Sequence, residues 1–332
     1  MLFVKGIGAL VATLAVFSLF SMKFPKGDKA MGGLANAAVA SCLVEAIFRH
    51  ILGDFAGIAF FGEVGALAGN LSGCASAILV GIALGMDPVF AVVGGMVCGG
   101  FGILPGFLAA YAMYFVLKLT KYLPSGTDQI FGALLSGAGY YFIAKTVAPY
   151  ISEVIGLVGN AITAATMQSP IVMGFLLGGI IKIVCTSPLS SMALTAMLQL
   201  TGLPMGIACI ACFGGSFTNG MIFKELRFGD GGNVIAVMLE PLTQAEIVTK
   251  NPLPIYISNL LGGGLSGLGA AALGIICDAP GTASPIPGML APFAFNPAKK
   301  VVIALAIAAV CGAFAGFVVS KAFKKAGYKQ IK

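Results

Sequence analysis

The chain has 332 residues, of which 58% are hydrophobic and 9% are charged, and its formal net charge is +7. Soluble domains carry about a quarter charged residues, so this composition excludes an ordinary soluble fold and favours an integral membrane protein. The lysines and arginines are dispersed or lie at the ends of apolar segments, without a basic stripe interleaved with aromatics. We therefore attribute the charge to membrane topology and expect no nucleic-acid partner.

Apolar segments recur along the whole chain, and many reach the ~18 residues with which a helix crosses the hydrocarbon core of a bilayer. Their approximate bounds are residues 4–22, 33–53, 55–86, 89–116, 129–149, 170–201, 203–220, 233–249, 253–277 and 299–320. The first segment has no small-residue cleavage signature after it, which indicates a retained span. The pattern predicts an all-α integral membrane protein with about ten transmembrane helices.

Three segments are broken by polar residues or proline. Segment 55–86 holds Glu63 and Asn70, segment 170–201 is interrupted at Thr186-Ser187-Pro188, and segment 233–249 has Glu240-Pro241 at its centre. Interrupted segments of this kind are typical of discontinuous helices, so we expect re-entrant hairpins.

Basic residues near segment ends predict the orientation, because cytoplasmic loops are enriched in lysine and arginine. The C-terminal tail contains five lysines and no acid, which places the C-terminus in the cytoplasm. Lys23, Lys26 and Lys29 mark one further cytoplasmic candidate and Lys224 with Arg227 another, while Lys118 and Lys121 compete with them.

Charged side chains within membrane spans are costly and are therefore functional candidates. Glu45 and Arg49 stand four residues apart and can neutralise each other as a structural pair. His50, the only histidine, has Asp54 at the same spacing, and the alternative hypothesis is that it titrates during transport. Lys145 and Lys182 lie near predicted segment ends, so we expect both ammonium groups to reach the interface, outside any site.

The polar residues at the breaks are candidates for contact with a solute. Glu63 lies between Gly62 and Gly65, which suits a solute-binding bend, and Asn70 follows it.

The strongest cluster runs from Glu240-Pro241 through Gln244 to Asn251. Proline removes a helical hydrogen bond and disfavours helix at the preceding residue, so backbone carbonyls there need new partners. Carboxylate and amide groups suit the hydroxyls of a sugar. We therefore predict that Glu240, Gln244 and Asn251 bind the solute.

Hydroxyl and amide side chains in the second half provide the remaining candidates. Thr186 and Ser190 either line a solute path or bond back to their own helix, and the two readings are about equally supported. Asn219 either ends a span or faces a cavity. Cys209 and Cys212 form a C-x-x-C pair, which we interpret as two small buried residues because no further metal ligands accompany them.

The chain lacks the sequence motifs of nucleotide hydrolysis and soluble-enzyme chemistry, including Walker A, H-E-x-x-H and Gly-x-Ser-x-Gly. We expect no catalytic residue, no cofactor and no metal site on this chain. A role as the membrane component of a larger enzyme system stays open.

The order of four short motifs resembles a known family. They are Gln168-Ser169-Pro170 with Met173-Gly174, Thr186-Ser187-Pro188-Leu189-Ser190-Ser191, Leu200-Thr201-Gly202-Leu203 and Ile247-Val248-Thr249-Lys250-Asn251-Pro252. Over roughly residues 85–292 the chain resembles the membrane family related to enzyme IIC of the sugar phosphotransferase system, in its perfringolysin-regulator-like branch.

The resemblance implies a homodimer of subunits with about ten spans and re-entrant hairpins, divided into a dimerising half, approximately residues 1–150, and a solute-binding half, residues 151–332. It also implies that Glu240-Pro241 contacts sugar, and that any phosphotransfer domains, IIA and IIB, are separate proteins.

We interpret the chain as a multi-pass permease of the bacterial inner membrane for a sugar or similar small polar metabolite. One alternative is a partner-free, proton-coupled secondary transporter that uses Glu63, Glu240 or His50. Another is a membrane sensor or regulator that binds the solute without carrying it.

Overall fold

The computed structural model describes residues 8, 12, 15–17, 19–124, 126–187 and 191–328. Within these ranges the regular structure is entirely helical, with no strand. The predicted all-α fold is therefore confirmed.

From Gly27 onward the described part of the first half contains six helices, numbered here in chain order. α1 consists of an α-helical part, Gly27–Ala38, followed by two π-helical stretches, Val39–Leu43 and Ala46–Phe55. The others are α2 (Ala59–Asn70), α3 (Ser72–Leu84), α4 (Pro88–Val97), α5 (Ile103–Leu117) with a following 3₁₀ turn (Lys118–Tyr122), and α6 (Thr127–Gln168).

The second half contains eight further helices within the described ranges. They are α7 (Pro170–Thr186), α8 (Ser191–Met197), α9 (Gly202–Leu226), α10 (Gly231–Leu239), α11 (Ala245–Lys250), α12 (Pro252–Ala272), α13 (Pro285–Leu290) and α14 (Ala298–Lys325). Short 3₁₀ turns, Pro241–Gln244 and Ala291–Ala294, follow α10 and α13.

Five helical stretches of the described chain are long and apolar enough to cross a membrane: Gly27–Asp54, Ile103–Tyr122, Thr127–Gln168, Gly202–Leu226 and Ala298–Lys325. The pair α2 and α3, bent by 56° at Leu71, adds a sixth if it forms one broken span. The multi-pass character is thus evident, while the count of ten spans stays a prediction.

The helix packing falls into two groups. In the first half α3 packs against α1, α4 and α5, and α6 packs against α4 and α5. In the second half α12 packs against α7, α9 and α14. Each group has its own hydrophobic core, and α8 contributes Met192, Ala193 and Met197 to the core of the first. Because α6 is continuous through residue 150, the predicted boundary falls inside a helix.

Close contact between α7 and α12 depends on glycine. A Cβ atom built on Gly178 would lie 2.5 Å from the backbone oxygen of Gly263, and one built on Gly267 would lie 2.3 Å from the oxygen of Gly174. In a bilayer, where lipid tails are as apolar as leucine, small residues let helix backbones approach and gain dispersion contacts. This approach brings the polar side chains of α7 and α12 together.

Of the three predicted helix breaks, two are present and the third lies at a different residue. The helix ends at Thr186, before Pro188, and α10 ends at Leu239, before Glu240-Pro241. No bend occurs at Glu63, so that prediction was wrong: α2 is continuous there, and the chain bends at Leu71 instead. Gly65 packs on the backbone of Arg49, so it serves helix contact instead of flexibility.

Candidate functional site

A buried polar cluster lies where α7, α9 and α12 meet. It consists of Thr186 from α7, Asn219 from α9 and Asn259 from α12, all fully buried. The Asn259 Nδ2 group donates to Asn219 Oδ1 at 2.9 Å and to Thr186 Oγ1 at 3.1 Å. Thr186 in turn donates to the backbone oxygen of Lys182 at 3.0 Å, so it bonds back to its own helix and also joins the cluster.

The cluster leaves one donor and one acceptor without a protein partner. Asn219 Nδ2 and Asn259 Oδ1 are buried and form no hydrogen bond within the described part of the chain. If oxygen and nitrogen were exchanged in both amides, one donor and one acceptor would again remain. A buried polar group without a partner costs about 1–3 kcal/mol, so the cluster is suited to a ligand that supplies both functions.

Lys182 lies beside this cluster in a slot lined by glycine. Its side chain is fully buried. A Cβ atom on Gly215 would lie 2.0 Å from Lys182 Cε, and one on Gly263 would lie 2.4 Å from Lys182 Cβ. The expectation that the Lys182 ammonium reaches the interface was therefore wrong. Its Nζ lies 3.9 Å from the Cys185 sulfur, inside the helix bundle.

Glu240 is held close to the cluster by the packing of α10. A Cβ atom on Gly220 would lie 2.5 Å from Met238 Sδ, which places the end of α10 against α9 next to Asn219. The following turn, Pro241–Gln244, packs against α7. The partly buried Glu240 carboxylate interacts electrostatically with Lys182, and it accepts a long 3.4 Å hydrogen bond from Leu242 N.

Gln244 and Asn251 hold the surrounding chain in place. Gln244 Oε1 accepts from Asn233 Nδ2 at 2.7 Å, which ties the turn to the start of α10. Asn251 is fully buried between α11 and α12, and its Oδ1 accepts from the Tyr328 hydroxyl at 2.9 Å. This contact fastens the end of the chain to the start of α12.

His50 lies in a different place, on the wall of a cavity of about 710 Å³ between the two halves. Its Nδ1 is 3.1 Å from Asp54 Oδ2. Glu45 also lines the cavity and forms the predicted ion pair with Arg49 at 2.9 Å. Gln199 and Asp278 line it from the second half, so the cavity is polar on both sides.

The remaining predicted residues are not brought into the cluster. Glu63 is exposed on α2, and Asn70 is exposed at the end of that helix. Ser190 lies outside the described residues. Lys145 is exposed, with its Nζ 5.4 Å from the centre of the Tyr141 ring.

The C-x-x-C cysteines are buried and free. Cys209 Sγ lies 3.2 Å from Thr282 Oγ1, and Cys212 faces Cys185. Among the described residues no group of three or more histidine, cysteine and acidic side chains converges as a metal site would.

Sequence reasoning missed Asn259 and Lys182. Asn259 is the one asparagine of segment 253–277, and it was overlooked because no proline or charge accompanies it. Lys182 was assigned to a segment end, yet it lies four residues after Gly178 and four before Thr186, the spacing of one helix face. That face carries the close contact with α12.

Several helices long and apolar enough to cross a membrane, with a polar cluster enclosed between them, are typical of polytopic membrane proteins, transport proteins among them. The family model of the phosphotransferase system EIIC matches residues 28–331. The chain therefore belongs to that family, and it is a permease component of the phosphotransferase system in that general sense. No curated protein matches the chain.

Proposed function

We propose that this protein carries a sugar or similar hydroxyl-rich metabolite, and that the solute binds between Asn219, Asn259 and Glu240. The observation that carries the proposal is the buried, unpartnered donor and acceptor on the two asparagines. A hydroxyl group both donates and accepts, so one solute hydroxyl satisfies Asn219 Nδ2 and Asn259 Oδ1 together.

Glu240 supplies the charged contact in this arrangement. Its carboxylate accepts hydrogen bonds from further solute hydroxyls, and bonds to a charged group are stronger than neutral ones. The Lys182 charge, enclosed by Gly215 and Gly263, offsets the carboxylate without taking up space that the solute needs. Thr186 fixes the orientation of Asn259 through its 3.1 Å bond.

We assign residues 231–250, two short helices joined by the turn after Glu240-Pro241, as a re-entrant hairpin. Its first arm starts beyond Leu226, at the end of α9, and its second arm ends at Asn251, which binds Tyr328 beyond the end of α14. Both arms therefore start from one end of the bundle. Access to the opposite end would pass through the cavity near His50, when the second half moves against the first.

We place the lysine-rich end of the bundle in the cytoplasm of a bacterial cell, at its inner membrane. α1 starts beside Lys26, and its distant end reaches the Ala291–Ala294 turn. α9 begins near that distant level, where Cys277 N donates to Gly202 O at 3.0 Å, and it runs back to Glu225, which binds Lys324. Lys26 and Lys324 thus lie on one side of the bundle, and so do Lys118 and Lys121, which line a cavity with Lys26.

The partners that we propose are supported by the family and by the exposed surface. Phosphotransfer would be performed by separate IIA and IIB proteins docking at the lysine-rich end. A homodimer would form through the first half, where α6 is the most exposed of the membrane-length helices found in the described ranges.

A ligand screen tests the proposal. Purified protein is unfolded thermally with sugars, sugar acids and polyols, since a solute that binds only the folded state raises its stability by about 2.7 kcal/mol at a hundred times its Kd. Asn259→Ala is expected to lose the shift relative to its own baseline, whereas Asn70→Ala, which changes an exposed amide, keeps it. Stabilisation of Asn259→Ala equal to that of the parent protein would refute the assigned site.

Uptake into proteoliposomes then separates the functions. Release of phosphorylated solute only with IIA and IIB proteins supports the phosphotransferase permease. Accumulation of unmodified solute driven by a proton gradient contradicts it, and binding without any uptake identifies a sensor.

A further inference from the structure

A second constellation lies in the first half, around the Lys118–Tyr122 turn. A cavity of about 680 Å³ is lined there by three lysines, Lys26, Lys118 and Lys121, together with Tyr114 and Gln129. It lies where α1 begins and α3 and α5 end. Ends of membrane helices coincide with the headgroup region of a bilayer, and Tyr122, which is 87% exposed, is typical of that interface.

Two of the ammonium groups converge on one aromatic ring. Lys26 Nζ lies 4.4 Å and Lys118 Nζ 4.7 Å from the centre of the Tyr114 ring. Lys26 also donates to Leu84 O at 2.6 Å, and its backbone adopts φ of 55°, the left-handed region that non-glycine residues rarely occupy. Lys26 therefore has a strained backbone conformation, and in this conformation its side chain lines the cavity. Two positive charges beside one ring make this part of the cavity favourable for an anion.

The carboxylates of the cavity are already engaged. Asp87 accepts from Val89 N at 2.8 Å, at the start of α4, and Asp128 accepts from Gly126 N at 3.0 Å. Three lysines against two acids leave the cavity positive.

An apolar groove of about 560 Å³ adjoins this cavity. Leu119, Leu123, Phe131, Leu134 and Leu135 line the groove, and Thr120 lines both the groove and the basic cavity. A positive cavity beside an apolar groove at the membrane interface matches one class of molecule, an anionic lipid. The cavity suits the headgroup phosphate and the groove suits an acyl chain.

We propose that this paired surface binds an anionic glycerophospholipid, with its phosphate between Lys26, Lys118 and Lys121 and one acyl chain along Phe131 and the neighbouring leucines. The site is separate from the solute site in the second half. The lysine-rich end is the one assigned above to the cytoplasm, and the cytoplasmic leaflet is the leaflet rich in anionic lipid.

Native mass spectrometry of the full-length protein with added dioleoyl phosphatidylglycerol or dioleoyl phosphatidylcholine tests this proposal. We expect phosphatidylglycerol to bind more tightly than phosphatidylcholine. Each lysine removed should lower the affinity for phosphatidylglycerol by about fivefold. The variants are Lys26→Gly, Lys118→Gln and Lys121→Gln. Glycine adopts the left-handed backbone without strain, so Lys26→Gly keeps the fold. Lys145→Gln, which removes a lysine beside Tyr141, is the matched control and should leave binding unchanged.

Phe131→Ala, together with competition by inorganic phosphate, distinguishes a lipid headgroup from free phosphate as the ligand. Weaker phosphatidylglycerol binding in this variant, with no competition from inorganic phosphate at the same concentration, supports the lipid. Equal binding of both lipids, or lysine variants that bind phosphatidylglycerol like the parent, would overturn the proposal. Full competition by inorganic phosphate would show a site for free anions, and dimers that lose affinity in Phe131→Ala while lipid binding persists would assign the groove to a second copy.

Discussion

Replacing Glu240 by glutamine removes a charge while preserving the size and shape of the side chain. If the carboxylate bonds a solute hydroxyl, the variant loses about 1.5–3 kcal/mol, which weakens affinity by roughly ten- to a hundred-fold. The ligand-free protein should lose a smaller amount of stability, because within the described residues this carboxylate has only the long 3.4 Å contact from Leu242 N and its electrostatic interaction with Lys182. Glu240→Gln is thus expected to lower the affinity for the solute more than the stability of the ligand-free protein.

Calorimetric titration and thermal unfolding on the same sample measure both quantities. Glu63→Gln is the matched control, since Glu63 is exposed on α2, and its affinity should equal that of the parent protein. The reasoning fails if Glu240→Gln lowers the melting temperature of the ligand-free protein while affinity stays nearly unchanged. Glu240 would then be a structural residue of the hairpin tip.

Three further predictions concern packing, topology and the cysteines. Gly215→Ala should destabilise the protein by about 1–3 kcal/mol in thermal unfolding, because its Cβ would lie 2.0 Å from Lys182 Cε. Gly156→Ala, with open space around its Cβ, should be neutral or stabilising. Equal losses of stability in the two variants would contradict the tight packing of Gly215 on Lys182. A reporter fused to the C-terminus should be active only in the cytoplasm, and periplasmic activity would reverse the orientation. Serine at both Cys209 and Cys212 should preserve transport, and a folded but inactive double variant would reveal a functional pair.

The sequence was sufficient for the helical class, the family and the breaks at Thr186 and Glu240, because proline and clustered polar residues interrupt helices locally. It was insufficient for Asn259 and Lys182. Their burial depends on which helix face meets which neighbour, and glycine contacts between α7, α9 and α12 decide that. The predicted bend at Glu63 was wrong for the same reason. Glycines beside a carboxylate are compatible with a bend or with close helix packing, and only the position of the neighbouring helix distinguishes the two.

The remaining candidates show how far residue type alone can lead. Asn251 and Gln244 have the chemistry of a solute site, yet their side chains bond to Tyr328 and Asn233. Asn219 has the same chemistry and retains an unpartnered donor. Hydrogen-bond partners that are distant in sequence make this difference, so the pattern along the chain could not predict it.

An experimental structure with a solute from the ligand screen bound tests the central claim most directly. The account predicts a solute hydroxyl within hydrogen-bond distance of both Asn219 Nδ2 and Asn259 Oδ1, with the Glu240 carboxylate on a second hydroxyl. A solute bound instead in the cavity lined by His50 and Asp278, with the two asparagines unchanged, would contradict it.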